Sequence, residues 1–393
     1  MTAGQRGPGL LPSMLEFEPV NAICYSGYRD GQSPQTRVYP SFAQVRQDLL
    51  ILEQDWKLIR LYDCTPHAET VLEVIRQEKL GLGVMLGAYL GAELSNPLCP
   101  WGGTYPEEQL AFNRRDNREQ IEKVIGLANR YDDIVFSVSA GNEATVEWTD
   151  HLVPVGTVVE LVRRLKQGVR QPVTFCENYA PWQHKLEGLV DEVDFVSLHT
   201  YPIWEFKGIE EAMRYTEENY ASVAARYPGK PVVITEAGWA TCSNGRGIRP
   251  ENASEELQAV YCAELIRWSR ERGVLTFVFE AFDESWKGSD DPGEPEKHWA
   301  SSPLTGSRSR SCARSSPIDR GPLDRLFARP LICSAIKQST TGGRRRPRRS
   351  HAAPNRSPAA RARPRHPRRL RLGPSLQGRL AGLRRGLRRG QVR

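Results

Sequence analysis

The sequence lacks the features of several common protein classes. No apolar stretch approaches the roughly 18 to 20 residues that span a bilayer, and the N-terminus has no apolar core long enough for a secretory signal. None of the eight cysteines forms a CxxC pair, and their spacing indicates neither a zinc site nor a compact disulfide scaffold. We therefore expect buried free thiols and a cytoplasmic protein, or an extracellular or cell-envelope protein if the true N-terminus differs.

Sequence signals for two kinds of ligand site are also missing. The turn after the first predicted strand, Cys24-Tyr-Ser-Gly-Tyr28, is not the glycine-rich phosphate turn that a doubly wound dinucleotide-binding sheet usually needs. His199 ends a predicted strand, but no second histidine or carboxylate lies at metal-ligand spacing from it. We expect a hydrogen-bonded histidine at the rim of the fold, and no metal.

Acidic residues nearly vanish at the end of the chain. From Ser301 onward there are 24 Arg, one Lys and two Asp, a net charge of +23, so residues 1–300 carry −16 of the total of +7. We predict a disordered leader over residues 1–19, one domain over 20–299 and a disordered Arg- and Pro-rich tail over 300–393. The near absence of Lys favours a frameshift product, and the alternative is a basic arm that binds nucleic acid.

Short apolar runs alternate with helical patterns from Asn21 onward. A Ser41-x-x-Gln44 capping box predicts one helix, and Thr104-x-x-Glu107 predicts the start of another. Eight strands alternating with helices in about 260 residues predict an α/β fold, a (β/α)8 TIM barrel. The predicted strands are Ala22 to Tyr25, Leu58 to Tyr62, Gly83 to Leu86, Ile134 to Ser139, Val173 to Cys176, Phe195 to Leu198, Val232 to Thr235 and Thr276 to Phe279.

Two of these strands lead directly into a glutamate. The runs are Ile134-Val-Phe-Ser-Val-Ser-Ala-Gly-Asn-Glu143 and Val232-Val-Ile-Thr-Glu236. A carboxylate has no packing reason to end a strand that is covered on both faces, so a placed acid is the better explanation. In a barrel both side chains would emerge at the C-terminal rim, where barrel enzymes carry their chemistry. Two carboxylates that face each other across a cleft indicate cleavage of glycosidic bonds.

Other strand ends add polar and aromatic groups to the same rim. Aromatic rings stack on sugar rings while amides and carboxylates bind their hydroxyls, so this composition favours a carbohydrate ligand. The candidate substrate-binding residues are Tyr25, Arg60, Tyr62, Asn142, Tyr201, Trp239, Glu280, Glu284 and Lys287, and the loop that contains Trp101 is a further candidate platform. Two alternatives remain open: the aromatic residues could cap the core, and Lys287 could simply pair with Glu284.

Five motifs together resemble glycoside hydrolase family 17, in its bacterial branch. They are Ile59-Arg-Leu-Tyr62, Ala140-Gly-Asn-Glu143, Leu198-His-Thr-Tyr-Pro202, Ile234-Thr-Glu-Ala-Gly-Trp239 and Phe279-Glu-Ala-Phe-Asp-Glu-Ser-Trp-Lys287. The resemblance implies a retaining β-1,3-glucan hydrolase, or a transglycosylase on the same linkage, without a metal or organic cofactor. Separately, we expect a monomer. It implies that Glu236 is the nucleophile and Glu143 the general acid and later the base.

The resemblance ends near Trp299. The family pattern continues with an apolar segment, whereas this chain continues with Ala300-Ser-Ser-Pro, which implies that the eighth helix of the barrel has been replaced. A different class also remains possible from the sequence, namely a non-catalytic protein that binds glucan or nucleic acid. Nucleic acid is otherwise not an expected partner, except through the basic tail.

Overall fold

The computed structural model describes residues 21–301, and these residues form a closed barrel of eight parallel strands. Each strand pairs with its neighbours in chain order, and β1 pairs with β8 to close the barrel. The strands are β1 Ala22–Cys24, β2 Leu58–Leu61, β3 Gly83–Gly87, β4 Val135–Asn142, β5 Val173–Asn178, β6 Val196–Thr200, β7 Val232–Gly238 and β8 Thr276–Phe279. The (β/α)8 TIM barrel expected from the sequence is confirmed.

Helices connect the strands and cover the outside of the barrel. Within residues 21–301 they are α1 Phe42–Leu52, α2 Pro66–Glu78, α3 Glu107–Arg130, α4 Val155–Gly168, α5 Tyr179–His184, α6 Glu187–Val190, α7 Ile209–Arg226 and α8 Glu255–Arg272. None of these helices is both long and apolar enough to cross a membrane. The predicted leader and all but the first two residues of the predicted tail lie outside the described residues. Between β8 and residue 301 the structure describes only a short 3-10 helix, Pro295–Lys297, so replacement of the eighth barrel helix stays a prediction.

Local sequence determines where the helices begin. Ser41 and Gln44 form the predicted reciprocal capping box at the start of α1. The predicted box at Thr104 is wrong, because Pro106 itself is the N-cap residue of α3 and no side chain caps that helix. The buried faces of the helices form one continuous core with the outer faces of the strands.

Five strands extend beyond their predicted ends at the C-terminal rim, β3 by one residue to Gly87 and β6 by two residues to Thr200. β4 continues to Asn142, β5 to Asn178 and β7 to Gly238. Apolar runs predicted the cores of these strands, but ladder hydrogen bonding continues through the polar residues that follow. As a result, Glu236 lies inside a strand, whereas Glu143 lies just beyond one.

Candidate active site

Glu236 is a buried carboxylate held by donors on or just after two other strands, β2 and β6. Its side chain accepts a hydrogen bond of 2.5 Å from Nη1 of Arg60 on β2, and another from the hydroxyl of Tyr201 after β6. The Nε2 atom of His199 lies 3.5 Å from the same carboxylate. Burial alone would raise the pKa of Glu236, but the charges of His199 and Arg60 and the bond from Tyr201 outweigh it and lower that pKa.

Glu143 occupies a different kind of position, on the turn that follows β4. Its backbone has a φ of 42°, the left-handed region that residues other than glycine rarely adopt. Its backbone N–H donates to the carbonyl of Cys176 on β5, at 2.9 Å. The side chain is 28% exposed, and its Oε1 atom lies 2.9 Å from Nδ1 of His199. A strained backbone that the surrounding contacts maintain is typical of functional sites.

One imidazole ring therefore contacts both glutamates. His199 is fully buried on β6, where it pairs in register with Glu236 on β7. Burial opposes a charge on this ring, but the negative charge of Glu236 and the contacts with Cys176 and Glu143 raise the pKa of His199 to about 10. The sequence predicted a hydrogen-bonded histidine here, and the contact with Glu143 confirms that bond. The sequence did not predict that the same ring joins both carboxylates.

Arg60 also connects the two halves of the site. Its guanidinium binds Glu236 through one nitrogen and the side-chain oxygen of Asn142 through another. The ring of Tyr62 lies under the guanidinium, with its centroid 4.4 Å away. Arg60, Tyr62, Asn142 and Tyr201 are therefore brought together with the catalytic candidates, as the strand ends predicted. Whether they contact a substrate stays a prediction.

Two of the aromatic residues predicted to bind sugar are buried. Tyr25 is 1% exposed and donates its hydroxyl hydrogen bond to buried Asp48, at 3.0 Å. Trp239 is 0% exposed, donates from its indole nitrogen to the Asn252 carbonyl and packs beside Tyr261. Both rings pack in the core, which favours the alternative that the sequence had left open. A contact of either ring with sugar stays a prediction.

The three charged residues after β8 form a closed ion-pair cluster. The Nζ atom of Lys287 lies within 2.7 Å of both oxygens of Glu280 and 2.9 Å from Glu284. Glu284 also accepts a hydrogen bond from the backbone of Tyr28. Glu280 and Glu284 are 1% and 0% exposed, so their contacts favour the ion-pair alternative, and contact with a substrate stays a prediction. The side chain of Lys287 keeps 15% exposure.

Two further carboxyl groups surround the pair and were not predicted as site residues. Burial and the charge of Glu143 raise the pKa of Glu177 to about 7, although Glu177 accepts hydrogen bonds from Thr145. Burial also raises the pKa of Glu296 to about 7, with Lys287 opposing and Glu143 adding to the rise. Acidic groups with raised pKa values beside a polar cleft are typical of enzyme active sites.

The loops on the side of Glu143 carry exposed aromatic rings. Trp101, in the loop after β3, is 57% exposed, and Tyr89 in the same loop is 47% exposed. The side chain of Asn96 ties this loop to the loop after β4, because it donates to the carbonyls of Glu147 and Thr149. Trp101 thus has a free face, as the prediction of an aromatic platform requires.

Comparison with known families agrees with this geometry. The sequence model of the BtgE/BtgC glycoside hydrolase domain matches residues 22–300. The chain belongs to this family. Both glutamates, Arg60, His199 and Tyr201 lie inside the matched residues.

Curated relatives of this glycoside hydrolase domain are fungal proteins. The chain is 24% identical over 271 residues, 63% of its length, to a probable glucan endo-1,3-beta-glucosidase of Aspergillus clavatus, of which it covers 36%. It is 25% identical over 189 residues, 43% of its length, to a glucan 1,3-beta-glucosidase of Arthroderma benhamiae, of which it covers 58%. The chain therefore spans about a third to just over half of these relatives.

Solved structures share the barrel of the glycoside hydrolase domain. An endo-laminarinase from Formosa Hel1_33_131 is 25% identical, with a TM-score of 0.61, covering 72% of this chain and 82% of the laminarinase. A β-1,3-glucanosyltransferase from Rhizomucor miehei is 19% identical, with a TM-score of 0.56, covering 72% of this chain and 92% of that protein. The second comparison shows the common fold alone.

Proposed function

We propose that the chain is a retaining glycosidase of the family 17 type that cleaves β-1,3-glucan by double displacement. The observation that carries the proposal is the single imidazole ring of His199 between Glu143 and Glu236. The ring contacts two carboxyl groups of unlike environment, and a retaining glycosidase uses such a pair as its nucleophile and its acid. The similarity to an endo-laminarinase and to relatives named glucan 1,3-β-glucosidases supports β-1,3-glucan as the substrate.

In the first step, Glu236 attacks the anomeric carbon of the sugar. Its lowered pKa keeps the carboxylate ionised, and Arg60 and Tyr201 fix its orientation. A bond forms between a carboxylate oxygen and the anomeric carbon while the bond to the departing oxygen breaks. Glu143 gives its proton to that oxygen. Because His199 contacts Oε1 of Glu143, Oε2 can carry this proton toward the cleft.

In the second step, Glu143 acts as a base. A water molecule gives a proton to Glu143 and attacks the anomeric carbon, so the ester breaks and the Glu236 carboxylate is restored. While Glu236 is esterified it carries no charge. The imidazolium of His199 then has Glu143 as its remaining carboxylate partner, and it stabilises the ionised form that the base requires. His199 thus serves both steps through its contacts with the two carboxylates, without itself forming or breaking a bond to the sugar.

Incubation of the full chain with laminari-oligosaccharides tests the proposed function. Shorter products whose new reducing end first appears as the β-anomer in proton NMR are expected. Longer products would indicate transfer to sugar and hence the transglycosylase alternative. First formation of the α-anomer would contradict retention, and no turnover of laminarin, with cleavage of pustulan or cellulose instead, would contradict the β-1,3 linkage.

A further inference from the structure

The turn that carries Glu143 is fixed at almost every polar atom. Ser139 donates to the carbonyl of Gly141, and the backbone N–H of Glu143 donates to Cys176. The backbone N–H of Thr145 donates to Glu177. Such a set of partners is what a left-handed backbone at Glu143 requires, since the strain persists only where surrounding contacts enforce it.

The remaining carbonyl of this turn, that of Asn142, is held by a histidine from the next loop. The Nε2 atom of His151 lies 3.0 Å from the Asn142 carbonyl oxygen, and its Nδ1 atom lies 2.7 Å from Oδ1 of Asp150. The side chain of His151 is only 16% exposed. The ring packs against Tyr89, with 5.1 Å between the centroids.

These two contacts define the protonation state of the ring. A backbone carbonyl and an ionised carboxylate accept hydrogen bonds and cannot donate them, so both contacts are hydrogen bonds only when both nitrogens of His151 carry a proton. The hydrogen bond from His151 lowers the pKa of Asp150, which keeps that carboxylate ionised. Burial opposes a charge on His151, but its bonds to Asp150 and to the Asn142 carbonyl raise its pKa above that of an ordinary histidine.

We propose that His151 is a positioning residue whose imidazolium form clamps the Asn142 carbonyl and thereby sets the orientation of Glu143 as acid and base. This inference rests on the proposed function. The groups that face the ring are Thr149 and Asp150 on its own loop, the Asn142 carbonyl and Glu143 after β4, and Tyr89 after β3. When the ring loses a proton, it can no longer donate to both Asp150 and the Asn142 carbonyl, so the turn is no longer held in place.

The role predicts an effect that depends on the leaving group. A glucan needs its departing oxygen protonated by Glu143, whereas a 2,4-dinitrophenyl β-glucoside or laminaribioside releases a stable anion and needs almost no acid. For His151→Asn we expect kcat/KM on laminari-oligosaccharides to fall about tenfold or more, because acid catalysis contributes about 10²- to 10⁴-fold. On the dinitrophenyl glycoside we expect kcat/KM within about twofold of wild type, since that step depends on Glu236.

His184 provides a matched control. It also lies near a carboxylate, Glu147, at 3.6 Å, but it is 58% exposed and makes a surface pair. His184→Asn should change neither substrate by more than about twofold, because surface ion pairs contribute little. Equal losses on both substrates for His151→Asn would overturn the proposal, because they would indicate damage to the whole site. Unchanged turnover of both substrates would overturn it as well.

Nitrogen NMR of the histidine rings tests the same proposal without any activity. With His151→Asn used for assignment, both ring nitrogens of His151 should be protonated at pH 6.5, and the backbone amide signal of Glu143 should shift as His151 loses its proton. A neutral ring at that pH, or a Glu143 amide that does not respond, would overturn the clamp. If wild type cleaves no glucan while both NMR signatures appear, the proposed function fails and the clamp stands.

Discussion

The two catalytic candidates lie in halves of the site that are built in different ways. Glu236 is 5% exposed inside β7 and is held by side chains on β2 and just after β6. The Glu143 side chain is 28% exposed on a strained turn, and loops that carry exposed aromatic rings adjoin it. We call the surroundings of Glu236 the strand half and the surroundings of Glu143 the loop half. The strand half surrounds a fixed negative charge with donors, while the loop half leaves a carboxyl group partly exposed.

The difference matches the two chemical tasks. A nucleophile must stay ionised and aligned, which preorganised donors in a buried site accomplish at no cost of reorganisation during the reaction. An acid that later becomes a base must exchange protons with substrate and water, so it needs partial exposure. The comparison predicts that mutations in the strand half affect the ionisation of Glu236 and the free energy of unfolding. Mutations in the loop half should affect proton transfer and substrate range.

The largest expected effect that separates the halves comes from Glu143→Gln. Loss of the acid should lower kcat/KM on laminari-oligosaccharides by about 10²- to 10⁴-fold. Formation of the glycosyl-enzyme from a dinitrophenyl glycoside should persist, and added azide should restore turnover because it needs no base. Glu147→Gln, at an exposed neighbouring carboxylate, is the control and should resemble wild type. Equal loss on both kinds of substrate would contradict the assignment of Glu143.

A pair of tryptophans tests the contrast in stability. Trp239→Ala in the strand half removes a fully buried side chain and should lower the free energy of unfolding by about 3 to 5 kcal/mol. Trp101→Ala in the loop half, where the ring is 57% exposed, should change stability by less than about 0.5 kcal/mol and raise KM for long glucans. Urea denaturation and kinetics on laminarin measure both. A large stability loss at Trp101 would contradict the comparison.

A smaller effect is expected when one donor to the nucleophile is removed. Tyr201→Phe removes the hydroxyl that donates to Glu236 and should lower kcat about tenfold, as loss of a hydrogen bond to a charged group does. That bond favours the ionised carboxylate, so its loss raises the pKa of Glu236 and should move the acid limb of kcat/KM to higher pH. A pH–rate profile measures the shift. An acid limb that stays in place would show that Tyr201 does not stabilise the charge.

The sequence predicted the barrel and the catalytic pair for the same reason. Strands covered on both faces are continuous apolar runs, and a carboxylate at the end of such a run stands out. The burial of Trp239 could not be predicted, because a position at a strand end does not show which way the ring points, and β7 continues past Glu236 to Gly238. His199 was missed as a partner of Glu143, and His151 as a partner of the Asn142 carbonyl, because strand register and loop conformation bring them there.

Trapping of the glycosyl-enzyme tests the central claim most directly. The full chain is treated with a dinitrophenyl 2-deoxy-2-fluoro-β-glycoside of glucose or laminaribiose, digested, and analysed by mass spectrometry. The account predicts time-dependent inactivation with one sugar attached to Glu236, and no label in Glu236→Gln. Attachment to another residue, or label that persists unchanged in Glu236→Gln, would contradict it.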